Sequence, residues 1–434
     1  MRRIAVIGSG ISGLTVAHAL AAEAAVTLFE ADAWFGGHAH TVEIELEGRR
    51  HGVDTGFLVF NERTYPRLIA LFARLGVATA PSEMSFSVQL PDTGLEWCGS
   101  DLNGIFAQRR NLLSPRFLHM LAEVLRFNRV ATRIALRSDD AELDESIGAF
   151  LGREGFGSTF REAYLLPMIG CIWSCPTEQM LQFPIGTLIR FCHNHGLLQV
   201  SGRPQWHTVR GGSMQYVEKM RAAVGDARLS APVRAVQRLP PGDGTAGVMV
   251  ATDIGSERFD AVVLACHSDQ ALALLRDADR HEREVLGAIR YQRNRAVLHT
   301  DQSVLPARRR AWAAWNYERA AAHGDERDGV CLHYLINRLQ PLPWQTPVLV
   351  SLNPLRPLSP DKVLGEWDYA HPVFDRRAVL AQRRLASLQG RSRVWFCGAW
   401  TGYGFHEDGL ASGLEVADAL RAGWALEKQS AAAA

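Results

Sequence analysis

Residues Ile4 to Gly37, IAVIGSGISGLTVAHALAAEAAVTLFEADAWFGG, restrict the fold more than any other stretch of the 434-residue chain. The run Ile4 to Ile7 is short and apolar throughout, as a strand buried on both faces must be, and Gly8-Ser9-Gly10-Ile11-Ser12-Gly13 follows at once. A helix opens there on the small apolar face of Leu14, Val16, Ala17, Ala19 and Leu20, and Val26 to Phe29 form a second strand ending at Glu30. In such a unit Gly8 permits the tight turn, Gly10 lets backbone approach a pyrophosphate, and Gly13 lets the helix sit against the strand. Free N–H groups at the helix N-terminus then point at phosphate oxygens, and Glu30 stands where a carboxylate binds a ribose hydroxyl. A bare glycine pattern also occurs in α/β loops that hold no nucleotide. Strand, helix, second strand and terminal acid together favour a dinucleotide.

Met1-Arg2-Arg3 ahead of this stretch admits a second reading, as a secretory signal. Three glycines and two serines interrupt the apolar run, and its removal would destroy the unit that the next residues complete. With 47% hydrophobic and 21% charged residues, the composition is that of a soluble globular chain with room for two or three domains. A net charge of +1 gives no reason to expect nucleic acid. Seven scattered cysteines show no metal-ligand spacing, so free thiols, a cytoplasmic setting and no bound metal are expected.

Farther along, Thr41 to Leu46 alternate into a Glu47-Gly48 turn, TYPRLIALFARLG reads as a helix, and FSVQLPDTGLEWCG reads as a hairpin. An arginine-rich helical tract is expected from about Leu102 to Arg137. Nucleotide-domain character returns near VRGGSMQYVEKM, and the strands GVMVAT and DAVVLAC follow. After a second departure with strands RAVLHT and PVLVSL, the chain closes with the strand RVWFCG and a helix from about Gly409 to Ala425. The expected division is a nucleotide domain from 1–80, 200–290 and 390–428, and a substrate domain from 81–199 and 291–389. A cleft between the two would take the substrate.

In its motifs the chain resembles the FAD-dependent amine oxidase and phytoene desaturase superfamily, and within it a bacterial group of NAD/FAD-binding, amine-oxidase-like proteins. The glycine turn ends in Ser12-Gly13-Leu14, Glu30-Ala31 precedes Gly36-Gly37-His38, and Asp54-Thr55-Gly56 supplies a third motif. Pro232-Val233 with Phe259 to Ala265 stands for the adenine-side strands, and Phe396-Cys397-Gly398 with Ser412-Gly413 for the last motif. The resemblance implies an α/β (α+β) fold: a discontinuous Rossmann-like FAD-binding domain with an inserted substrate domain of mixed sheet and helices. It implies FAD as the resident cofactor, held by Gly8, Gly10, Ser12, Gly13, Glu30, Ala31, Gly36, Gly37, His38, Thr55, Gly56, Val233 and Gly398; the cradle of Gly8, Gly10, Gly13 and Glu30 is expected to hold it non-covalently, with attachment through a cysteine or histidine as the alternative. The last helix, opening near Asp408 and Gly409, would turn its positive end toward the flavin. Three departures stand out, the first being Ala399-Trp400 where the family usually has an acid after the last strand's glycine. His38 replaces the family's usual arginine, and none of the three lysines, Lys219, Lys362 and Lys428, falls where many amine oxidases hold one near the flavin.

On the substrate side, YLLPMIGCIWSCP and FPIGTLIRFCHNHGLLQV are apolar and aromatic. Leu165, Met168, Ile169 and Leu188 are expected in the core, while Trp173, His193, His195 and Trp206 bring polar tips into apolar surroundings, and Ala311 to Tyr317 adds an aromatic wall. His406 and Trp173 are the candidate catalytic residues; His406 would move a proton or orient substrate, or His406-Glu407-Asp408 would simply cap the last helix with Asp408 as N-cap. The expected activity is hydride removal from a lipid or fatty-acyl carbon to give a double bond, with amine oxidation or a non-catalytic flavin scaffold as the alternatives. From Leu102 to Arg137 there are seven arginines and one acid, Glu123. Helical spacing puts Phe117, Leu121, Leu125 and Ile134 on one face and Arg126, Arg129, Arg133 and Arg137 on another. That basic face is either solvated or rests on an anionic membrane, at the inner face of the cell membrane.

Overall fold

A computed structural model describes residues 1–137, 144–240, 246–319 and 330–433. Its first sheet is parallel throughout, with strands in the order Asp226–Arg228, Ala25–Phe29, Arg3–Ile7, Ala261–Leu264 and Val394–Phe396. The N-terminal strand is apolar at every position from Ile4 because both its faces are covered. Ile4 and Val6 meet Leu14, Val16 and Leu20 of the first helix, Ile11–Leu20. Ala5 and Ile7 turn the other way, toward Val236, Val248 and Phe259 of an antiparallel three-stranded meander spanning Val233–Leu239, Gly247–Thr252 and Gly255–Phe259. Helix Ile11–Leu20 lies so near its strand that a Cβ on Gly13 would collide with the carbonyl oxygen of Gly8.

The second large sheet has seven strands: Val363–Val373, Arg290–His299, Leu349–Leu352, Cys331–Leu335, Trp315–Glu318, Phe86–Leu90 and Leu95–Cys98. It is antiparallel except where Trp315–Glu318 runs parallel to Phe86–Leu90. Its strands come from positions 86–98 and 290–373, whereas those of the parallel sheet come from 3–29, 226–264 and 394–396. One face carries Trp315, Tyr334 and Leu352 toward the other sheet. The opposite face carries a buried polar strip of Ser87, Asn316, His333, Ser351 and His299. All seven cysteines are free.

Two expectations are corrected. The tract from Leu102 to Arg137 is not one helix: Leu102–Ile105 and a 3₁₀ turn, Arg109–Leu113, precede the helix Pro115–Ala135. Ser114 starts that helix afresh by accepting from the N–H of Phe117, with Pro115 in the first turn, where its missing N–H costs nothing. The last helix begins three residues before Gly409 and runs His406–Ala433. Asp408 is therefore inside its first turn and not its N-cap; the carboxylate reaches back to accept from the N–H groups of Tyr403 and Phe405 at 3.1 and 2.9 Å. This helix crosses the first one closely, since a Cβ on Gly413 would lie 2.6 Å from the carbonyl oxygen of Ser12. No helix among the described residues is long and apolar enough to cross a membrane.

Candidate functional site

Between the two sheets lies a cavity of about 970 Å³. Of the residues expected to hold a cofactor, Gly8, Gly10, Ser12, Glu30, Ala31, Gly36, Gly37, His38, Thr55, Gly56, Val233 and Gly398 line it. Gly13 and Gly409 do not: they are packing positions beneath the cavity, Gly13 against the first strand and Gly409 against Ile11 and Ser12. Asp408 faces a neighbouring vestibule of about 330 Å³. The positive end of the last helix still reaches the cavity, through Phe405 and His406.

The nucleotide end is already braced. Glu30, at the end of the second strand, accepts from the N–H and hydroxyl of Ser9 and from the N–H of Asp32 at 2.9 Å, which fixes its carboxylate at the cavity edge. Ser9 also receives the N–H of Gly36, tying the second glycine pair to the first turn. A Cβ added to Gly10 would meet no protein atom within 4 Å, so the space before it is open to a ligand. His38, in the arginine's place, is half-buried, its Nε2 is buried without a partner among the described residues, and burial lowers its pKa to about 4. An open approach at Gly10, a fixed acid and an orphaned buried nitrogen fit a dinucleotide carrying a flavin.

Around the middle of the cavity, residues that the sequence did not single out converge on His38. Tyr369 and His371, on the strand Val363–Val373, have ring centroids 4.9 and 5.2 Å from it. The Tyr369 hydroxyl bonds Thr55 Oγ1 at 2.7 Å and His40 Nδ1 at 3.0 Å. Asn294 donates to Nδ1 of His371 at 2.9 Å, which leaves that ring's hydrogen on Nε2. His267 stacks on Tyr291 at 4.3 Å. Burial holds His267 neutral down to about pH 4 and His371 to about pH 3. The period-two order of Trp367, Tyr369 and His371 was the available signal that one strand face would meet here.

His406 opens the last helix against Phe57, with centroids 3.7 Å apart, and its Nε2 lies 2.9 Å from the hydroxyl of Tyr216. Tyr216 is fully buried and has no other partner among the described residues. Its O–H therefore donates to Nε2, and the ring carries its hydrogen on Nδ1. Burial pushes the pKa of His406 down to about 3. Trp173 lines the cavity, but its indole N–H is already given to the carbonyl of Tyr403 at 3.3 Å. Trp206 and Trp315 are also in the wall. His195 stacks on Phe191 and faces the vestibule; His193 lines neither space. Leu165, Ile169 and Leu188 are in the core, and Met168 packs against it.

The three lysines are elsewhere. Lys219 donates to the carbonyls of Leu75 and Gly76, Lys362 pairs with Asp301, and Lys428 is exposed on the last helix.

Residues 11–305 match the profile of the family described as flavin containing amine oxidoreductase. Among solved structures, the chain is similar to a CLA-producing fatty acid isomerase from P. acnes, with 15% identity, TM-score 0.65, and 97% of this chain and 98% of that one covered. It is similar to cyclohexylamine oxidase from Brevibacterium oxydans, with 17% identity, TM-score 0.66, and coverage of 96% and 98%. It also resembles putrescine oxidase bound to putrescine, at 16% identity, TM-score 0.65, and coverage of 97% and 99%. No curated protein sequence matches the chain.

Proposed function

The chain belongs to the flavin containing amine oxidoreductase family and is an FAD-dependent oxidoreductase, and on that premise we propose that it removes a pair of hydrogens from neighbouring carbons of a lipid or fatty-acyl chain, leaving a double bond. Bound FAD would supply the two-electron acceptor, taking one hydrogen as a hydride and the other as a proton to end as FADH2 while the double bond forms. The observation that carries the reading is the wall of the cavity away from the nucleotide end: Ile172, Trp173, Leu197, Trp315, Tyr334 and Leu352 bring no formal charge. A protonated amine would lose its hydration there without an acid to replace it, whereas an acyl chain gains from the same burial. The likeness to a fatty acid isomerase supports this reading, and the likeness to two amine oxidases supplies its rival.

The chain's own residues have three tasks in this scheme. Gly10, Glu30 and His38 seat the cofactor. Trp173 and the sheet residues Trp315 and Tyr334 exclude water and hold the substrate chain, because positioning supplies much of the rate. His406, fixed by Tyr216 with its hydrogen on Nδ1, is an orienting donor and not a general base: a ring held neutral to about pH 3 has little affinity for a proton.

The test is incubation of the holoenzyme with saturated and methyl-branched acyl chains, followed by mass spectrometry. A product lacking a pair of hydrogens is expected. Deaminated product from simple amines, with acyl chains returned unchanged, would assign the protein to amine oxidation.

A further inference from the structure

We propose that the helix Pro115–Ala135 and the turn before it seat the protein on an anionic lipid surface, with leucines entering the acyl boundary and arginines at the phosphates. Sequence spacing expects Leu125 on the apolar side, away from the arginines. In the structure Phe117, Met120, Glu123, Phe127, Asn128 and Ala131 are the buried residues, and Leu118, Leu125 and Leu136 are 43%, 53% and 71% exposed. At about 100° per residue these three leucines fall within roughly 20° of one another around the helix axis, Arg129 and Arg133 lie about 20° and 60° to one side of Leu118, and Arg137 follows Leu136 at the end of the helix. Leu112 and Leu113, 48% and 88% exposed, extend the apolar patch into the preceding turn. Six of the thirteen large apolar side chains exposed among the described residues fall between Leu102 and Leu136.

The arginines divide in a way that matches this orientation. Arg109, Arg110 and Arg116 donate to protein oxygens. Arg126, expected to face headgroups, instead covers the Phe156 ring and bonds to Glu154. Arg129, Arg133 and Arg137, those beside the leucines, have no partner among the described residues. Exposed leucine and unpaired cation in one stripe is the composition of a helix lying in a membrane interface, where guanidinium groups stay at headgroup level while apolar neighbours pass below. A second copy docked stripe to stripe would set these cations against their own kind, whereas an anionic bilayer meets both components. The helix is about 30 Å long. Its buried side packs on the helix Ile185–Asn194, which supplies Phe191 to the cavity wall, so a lipid surface here would lie one helix away from the site.

The test is flotation of full-length holoenzyme with phosphatidylcholine vesicles, with and without phosphatidylglycerol, at low and high salt. Wild type should float with the anionic vesicles and detach as salt rises. Arg129→Gln/Arg133→Gln/Arg137→Gln should lower partitioning on the order of a hundredfold, and Leu118→Gln/Leu125→Gln/Leu136→Gln should lower it on the same vesicles. All six positions are at the surface, and unchanged FAD content and circular dichroism in both variants show that the fold is kept. No flotation of wild type, or equal flotation of wild type and both variants, would overturn the proposal. Self-association abolished by the leucine variant, with no vesicle binding, would overturn it in favour of a second copy. Because binding is read without turnover, its outcome is separate from that of the substrate assignment.

Discussion

Gly10 is the residue at which cofactor binding and folding separate most cleanly. Its backbone, with φ −60° and ψ 175°, suits any residue, and a Cβ there meets no protein atom within 4 Å. Gly10→Val should therefore leave the fold intact and fill the space a pyrophosphate needs. The expected result is unchanged circular dichroism with the yellow colour lost, read as flavin released per chain after purification; full occupancy would remove Gly10 from the cradle. His406 gives a second test at this scale. Donation from Tyr216 and a pKa near 3 predict, by ¹⁵N spectroscopy of the imidazole in the holoenzyme, a neutral ring with its hydrogen on Nδ1 down to pH 5. Titration near 6.5, the ordinary histidine value, would restore it as a base. The nucleotide turn was legible in the sequence because its contacts are contiguous: Gly8 to Gly13 and Glu30 fall within one strand–helix–strand unit. Tyr216, His267, Tyr369 and His371 were not, because they come from three distant stretches of the chain, and although Tyr369 and His371 share a strand face, no local spacing marks that this face meets His38 or that Tyr216 meets His406.

At the scale of elements, the seven-stranded sheet has two unlike buried faces. One supplies the apolar wall of the cavity; the other holds His333, whose Nδ1 meets Ser351 and whose Nε2 meets Glu318 at 3.0 Å. Burial works against the charged ring, yet Cys331 and Glu318 hold it protonated, raising its pKa to about 9. A pKa raised above the unfolded value near 6.5 contributes stability that is fully present below pH 6.5 and lost as pH climbs through 9. Glu318→Gln should cost about 3–5 kcal/mol in urea denaturation at pH 7, the penalty for leaving a buried cation without its counter-ion, and should flatten the alkaline decline. A loss below about 1 kcal/mol would mean that Arg356, the other partner of Glu318, and not His333, is the stabilised cation. Helix Pro115–Ala135 shows what periodicity leaves open. The spacing put Phe117 on the buried face and Arg129, Arg133 and Arg137 on the exposed one, but it misassigned Leu125 and Arg126: which arc meets the protein depends on the helices Ser158–Phe160 and Ile185–Asn194, and that placed Leu125 outside and Arg126 against Phe156.

The whole molecule joins a parallel nucleotide-binding sheet to a mixed sheet across one cavity, and it buries histidines in unusual number where they meet. His38, His40, His195, His267 and His299 are held down to about 4, and His371 and His406 to about 3, all by burial. The unfolded chain takes up protons on these groups below about pH 6.5 while the folded one does not, so stability should fall as pH drops from 6.5 toward 4. Asp54 and Asp408, pushed up to about 6 by burial, and Asp32, also raised by burial, act in the opposite sense, but they are three against seven. Denaturation midpoints followed from pH 7 to pH 4.5 should decline steadily; a flat profile would mean the histidines titrate as they do in water. Four strands of the parallel sheet were legible as apolar runs, whereas its order, its edge strand Asp226–Arg228, and the pairing of Trp206–Val209 with Phe60–Asn61 and Thr79–Ser82 were not, since strand partners carry no mark in a single sequence. The central claim is that a cavity whose wall away from the nucleotide end carries no formal charge, and which no lysine lines, serves an acyl chain and not an amine. Rapid anaerobic mixing of oxidised holoenzyme with acyl chains or with simple primary amines, followed at the flavin absorbance, tests it most directly. Bleaching by an acyl chain and none by the amines is the predicted result, and rapid bleaching by an amine would contradict it.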